Sequence, residues 1–191
     1  MKNTDLRQSI RNEVASIVAL DALETAHIED ILQWIDSGAD IFRIAKPDTP
    51  PKHLVSYFVV IDQAKRSLLL GDHIKAQLWL PTGGHVRVNE HPKQAVIREM
   101  KEELFRGTTF LRGNDKPFFV TVTETVGLTP GHTDVSLWYL VKGGEHEALQ
   151  FERSEFTDMN WFRFDEILAS HPAIFDPQMQ RFTKKLVNYL S

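Results

Sequence analysis

Apolar residues recur every three or four positions at Leu6, Ile10, Val14, Ile17 and Val18, and this spacing predicts a helix over residues 4–23. Thr4 or Asp5 can cap its start. A second stripe, Ile28, Ile31, Leu32 and Ile35, predicts a helix that starts at a Thr25 cap and stops near Gly38. With little chain between them, the two read as a helical hairpin. AKPDTPPKH follows, and Pro47, Pro50 and Pro51 make it a stiff, extended linker. That linker divides the chain into a 1–46 extension and a 47–191 main domain. The pattern then changes. LVSYFVVI at 54–61 reads as a heavily buried strand, and 66–70 as a second strand after a turn at Asp62 and Gln63. Trp79 and Leu80 continue the core. Helix pattern resumes over 93–104, with Pro92 at a tolerated first position. Further strands are predicted at 118–126 and 135–141, joined by GLTPGHTD and most simply antiparallel. Trp161 and Phe162 suggest a short buried strand, 165–169 a short helix, and 177–190 a terminal helix. Strands and helices in this mixture predict an α/β fold.

Composition narrows the function classes. Of 191 residues, 42% are hydrophobic and 25% charged, an ordinary balance for a globular protein with a sizeable core. The net charge of -4 and the lack of a basic tract exclude a broad nucleic-acid groove. A phosphorylated substrate would have to be met by metal ions and a few placed cations. The absence of cysteine excludes disulfides, thiolate chemistry and cysteine-ligated zinc. The charged start, MKNTDLRQSIRNE, is unlike a signal peptide, and no run approaches the ~18 apolar residues of a membrane span. A cytoplasmic protein without membrane partners is expected.

The stretch LPTGGHVRVNEHPKQAVIREMKEELFRG, residues 80–107, carries the densest candidate chemistry. Glu99, Glu102 and Glu103 fall on one face of the predicted helix, where like charges repel by a few tenths of a kcal/mol per pair. Two readings fit: a solvated charged face, or a carboxylate cluster neutralised by a cation. The preceding pair Gly83-Gly84 and the adjacent Arg98 favour the second. No P-loop is present, because the glycine pair lacks the lysine and hydroxyl of that motif.

This stretch resembles the signature of the Nudix hydrolase family. Gly84 takes its first position, Glu90 the next, Arg98-Glu99 with Met100 follow, and Glu102-Glu103 complete the acidic core. The closing glycine is replaced by Phe105 and the final apolar position by Arg106. The resemblance covers residues 53 to about 166. It implies an α/β/α sandwich with a mixed sheet, to which the N-terminal hairpin is an addition. It also implies hydrolysis of a pyrophosphate bond in a nucleoside diphosphate derivative or nucleoside triphosphate. Mg²⁺ or Mn²⁺ would be held by Glu99, Glu102, Glu103 and the backbone carbonyl of Gly83 or Gly84. Arg98 would support the site by pairing with Glu90, for which an acid at the helix start is the plainer reading. Phenylalanine is disfavoured in a left-handed conformation, so the helix is expected to run on to Gly107 with Phe105 packed among apolar neighbours.

The general base stays open among the signature glutamates, Glu124, Glu152 and Glu155, with Glu155 the preferred loop candidate. His85, His132 and Asp134 are candidates for contact with substrate, against turn capping or surface roles. The eight histidines show no close ligand spacing, since His85 and His91 lie six apart around a turn, and this argues against a zinc hydrolase. Tyr57, Phe58, Trp79, Phe118, Phe119, Trp138 and Tyr139 read mostly as core, with one or two available to stack on a base. The competing function is a nucleotide-binding regulatory module on the same fold that has lost turnover. It is disfavoured because no signature glutamate is missing. Isomerase chemistry on isopentenyl diphosphate needs a cysteine in the enzymes that perform it. Two helices of this length are marginal alone, so the hairpin should cover its own core or a partner subunit. The second, a homodimer, is the favoured expectation.

Overall fold

The computed structural model describes residues 3–46, 49–125 and 131–191. Strand β1 (Lys52–Asp62) runs through the middle of the sheet, and its near-continuous apolar sequence follows from burial on both faces. Leu54, Phe58 and Val60 enter one core, while Val59 and Ile61 enter the other. β6 (Thr133–Lys142) lies parallel to β1, in a register that sets His53 opposite Asp134. Its Val135, Leu137, Tyr139 and Val141 point one way, and Trp138 and Leu140 the other. The remaining pairings are antiparallel. β5 (Phe119–Glu124) pairs with β6, and β2 (Ser67–His73) pairs with both β1 and β7 (Phe156–Arg163). β3 (Leu78–Leu80) pairs with β2, and β4 (Thr82–His85) with the first half of β1. Helices α1 (Asn3–Ala15), α2 (Ala22–Asp36) and α3 (Pro92–Leu104) cover one face of this seven-stranded mixed sheet. Helices α4 (Phe164–Ala169) and α5 (Met179–Leu190) cover the other. The fold is the α/β/α sandwich expected from the sequence.

Several local expectations are corrected. The first helix stops at Ala15, not residue 23, and Val18 is 83% exposed. Asp21, not Thr25, caps α2, accepting a hydrogen bond from Glu24 N at 2.9 Å. Gly83-Gly84 lies within β4. Gly83 has φ +144°, and a Cβ there would collide with the Ser56 carbonyl and Tyr57 Cα of β1. The strand at Trp161 and Phe162 extends over all of β7 because β2 offers it a full antiparallel edge. Val126, the GLTP half of GLTPGHTD and Pro47 of the linker lie outside the described residues.

The ending of α3 also differs. The helix stops at Leu104, and Phe105 itself adopts the left-handed conformation (φ 53°, ψ 33°) with 54% of its surface exposed. Arg106 N reaches back to the Met100 carbonyl at 3.5 Å, closing the helix end. An extension to Gly107 would carry the chain past β6, where Thr109 O accepts from Lys142 N at 2.7 Å and Phe110 bridges Val141. The need to reach that edge outweighs a steric cost of about 1–2 kcal/mol.

The hairpin covers its own sheet. Leu6, Ile10, Val14, Ile31 and Ile35 are buried in the same cluster as Leu54, Val120 and Leu137. α2 packs on β5. At its start Glu24, fully buried, accepts from Lys185 Nζ of α5 at 2.6 Å, and Asp21 pairs with Arg181. The apolar stripes that suggested a second copy are therefore covered within the chain. Among the described residues no helix is long and apolar enough to cross a membrane.

Candidate active site and cation sites

A cleft of about 630 Å³ opens above β4 and the second half of α3. The helical spacing of α3 turns Ala95, Met100 and Leu104 into the core and presents Glu99 and Glu102 to the cleft. Glu103 lies just beneath, 3% exposed, and its Oε2 accepts from Gly83 N at 2.9 Å. A Cβ on Gly84 would collide with the Glu99 carboxylate, so glycine at this position is what lets Glu99 approach the strand. The glycine pair and the carboxylates are one packed unit.

Arg98 is the cation among them. It meets Glu90 with two bonds, Nε to Oε1 and Nη2 to Oε2, both 2.8 Å. Its Nη1 contacts Glu99 and lies 3.3 Å from Glu102, and Nη2 donates to the His85 carbonyl at 3.1 Å. Glu90 also accepts from Arg87 N at 2.9 Å, so it braces the turn before α3 as well as Arg98. Burial works to raise the Glu90 carboxyl, but the Arg98 hydrogen bonds prevail and hold it below its usual range. The same contacts with Glu90 raise the guanidinium.

Glu99 and Glu103 shift the other way. Burial raises Glu99, opposed by Arg98 and reinforced by Glu102 and Glu155. Burial, with Glu99 and Glu155 beside it, pushes Glu103 well above the usual carboxylate range. Glu155 lines the cleft, and its charge acts on both Glu99 and Glu103. Of the other loop and strand candidates, Glu124 borders the cleft at the end of β5. The Glu152 carboxylate instead accepts from Ser154 N at 2.9 Å. Tyr57 lines the cleft, whereas Phe58, Phe119, Trp138 and Tyr139 are wholly buried.

A second group stands in the wall of the same cleft. His53, His85, His132 and Asp134 each bring one ligand atom within 4.8 Å of all the others, and the group can coordinate a metal ion. Here the expectation of no histidine cluster fails. The parallel register of β1 and β6 sets His53 against Asp134, and the β1–β4 pairing places His85 opposite Val55. His91, in contrast, caps α3 by accepting from Lys93 N. His53, absent from the sequence candidates, had no signal beyond its position at the start of a strand. Arg43 and Asp176, also in the cleft wall, were likewise unmarked.

The α/β/α sandwich thus carries a cleft helix that gathers carboxylates against a glycine-bearing strand. The sequence pattern described as NUDIX domain matches residues 52–186, and the chain belongs to the Nudix family. Solved structures of this fold include a NUDIX-family hydrolase from Clostridium perfringens, 23% identical with a TM-score of 0.58 over 73% of this chain and 98% of that one. The dihydroneopterin triphosphate pyrophosphohydrolase of E. coli is 15% identical with a TM-score of 0.57, covering 78% and 99%. An Ap4A hydrolase from C. elegans is 19% identical with a TM-score of 0.54, covering 72% and 96%. At these identities the likeness is one of fold. A sequence comparison with curated proteins returns no match.

Proposed function

We propose that this protein is a metal-dependent hydrolase that cleaves a pyrophosphate bond in a nucleoside diphosphate derivative or nucleoside triphosphate. The observation that carries the reading is the crowding of Glu99, Glu102, Glu103 and Glu155 in one cleft, where burial and mutual repulsion raise Glu99 and Glu103. Such a set favours a hard divalent cation, and oxygen donors suit Mg²⁺ or Mn²⁺. Glu99, Glu102 and Glu103, with the Gly84 carbonyl, would hold it. When bound, such ions polarise a phosphoryl oxygen and lower the pKa of water. Arg98 holds Glu99 and Glu102 in place and is itself held by Glu90. Glu155, in the cleft lining beside the signature carboxylates, is the candidate to accept the proton of the attacking water. Two relatives of the same fold are named for polyphosphate substrates, in keeping with this substrate class.

The test is a screen of purified protein against nucleoside triphosphates, nucleotide sugars and dinucleotide polyphosphates with Mg²⁺ or Mn²⁺, resolving pyrophosphate from monophosphate products. Calorimetric titration of wild type and Glu102→Gln with Mn²⁺ accompanies it. Turnover that persists after chelation, or equal Mn²⁺ binding by both proteins, would overturn the assignment.

A further inference from the structure

We propose that His53, His85, His132 and Asp134 form a second cation site, distinct from the carboxylates of α3 and built for a borderline divalent ion such as Zn²⁺. Three imidazoles and one carboxylate make an N3O donor set, which suits zinc and its neighbours far better than Mg²⁺. The spacing fits as well. His53 Nε2 and His132 Nε2 stand 3.5 and 3.4 Å from Asp134 Oδ1. A tetrahedral site with bonds of about 2.0–2.1 Å has ligand atoms roughly 3.3–3.4 Å apart. The widest separation in the group, 4.8 Å, closes to that value with side-chain adjustments of about an ångström.

The surroundings orient the rings as ligands. The Pro50 carbonyl lies 2.8 Å from His53 Nδ1, and a carbonyl only accepts, so the proton sits on Nδ1 and Nε2 is the nitrogen turned to Asp134. Thr125 Oγ1, which donates to the His132 carbonyl at 3.2 Å, lies 3.1 Å from His132 Nδ1 and can accept its proton there. His53 and His132 are stacked with centroids 5.2 Å apart, and His85 lies 4.9 Å from His53. Arg43 Nη1 is 3.3 Å from His85 Nε2, and because a guanidinium only donates, His85 is a neutral acceptor there. That nitrogen carries the ring's one lone pair, so an ion taking His85 as a ligand displaces Arg43 from it. His53 is fully buried and His132 nearly so, which keeps bulk water from the ligands.

The ion would tie the start of β1, the end of β4 and the start of β6 together at the cleft wall. It would also fix the His85 backbone, whose carbonyl accepts from Arg98.

Co²⁺ titration of the chelator-stripped full-length protein tests this independently of turnover, because a four-coordinate site gives intense visible bands and an oxygen-rich octahedral site gives weak ones. One equivalent of Co²⁺ should produce the intense bands, unaffected by excess Mg²⁺ and displaced by Zn²⁺. Asp134→Asn and His132→Gln should abolish them, Thr125→Val should weaken binding about ten- to hundredfold, and Glu102→Gln should leave them intact. Wild-type protein that shows no intense band, or bands lost in Glu102→Gln but retained in Asp134→Asn, overturns the proposal. Failure of the hydrolase screen would leave this result standing, and the reverse is equally true.

Discussion

Ile31→Ala tests whether the N-terminal hairpin and the sheet melt as one unit. Ile31 is fully exposed to neither solvent nor cleft; its relative accessibility is 0%, and it belongs to the cluster that contains Leu54, Val120 and Leu137 of three strands. Truncation at such a site removes transfer free energy and leaves a cavity, a loss of about 2–5 kcal/mol. For a chain of this size each kcal/mol moves the midpoint by about 2–4 °C, so a fall of roughly 10 °C is expected. The loss is a large fraction of a typical total stability of about 5–15 kcal/mol. Differential scanning calorimetry should show a single transition displaced as a whole. A hairpin that merely rests on the domain predicts something else: an early, small transition that moves, and a main one that does not. Either that split, or a shift below about 2 °C, would refute the view that the hairpin shares the core. The same packing implies that deleting residues 1–46 uncovers the part of one sheet face that α1 and α2 occupy, leaving only α3 there, and yields an aggregating chain rather than an autonomous core.

Two further substitutions probe particular groups. Phe105→Gly removes a side chain from a left-handed position at little loss of burial, and should raise stability by about 0.5–1 kcal/mol, or about 2 °C in the midpoint; a lower midpoint would mean that the ring makes a worthwhile contact. Asp176, in the cleft wall, is pushed by burial up to about 6. Its folded value lies above the unfolded one, near 3.9, so the folded state binds the extra proton and stability falls as pH rises from about 4 through 6. Partial access to the cleft keeps the penalty below about 3 kcal/mol at neutral pH. Asp176→Asn should flatten that slope in denaturant midpoints measured from pH 4 to 7, and an unchanged slope would remove Asp176 as its source.

Much of the fold follows from local rules that the sequence displays openly. The run at residues 54–61, apolar at both parities, could only be a strand covered on two faces, and it became β1. The spacing of Glu99, Glu102 and Glu103 places their carboxylates on one side of α3 whatever surrounds it, since 3.6 residues per turn is a property of the helix itself. The bidentate Arg98–Glu90 contact also joins residues close in sequence. Helix ends were harder to read. Phe105 turns left-handed because Thr109 and Phe110 must reach β6, a demand made by a strand far along the chain. The hairpin's destination was equally undetermined, because an apolar stripe states that it must be covered but not by what. The histidine cluster belongs wholly to tertiary structure. His132 and Asp134 lie two apart at the start of one strand, but no spacing along the chain relates them to His53 or His85 on two others. Only the parallel register of β1 with β6, fixed by the packing of both sheet faces, brings His53 beside Asp134. A one-residue slip in that register would turn one of them to the opposite face.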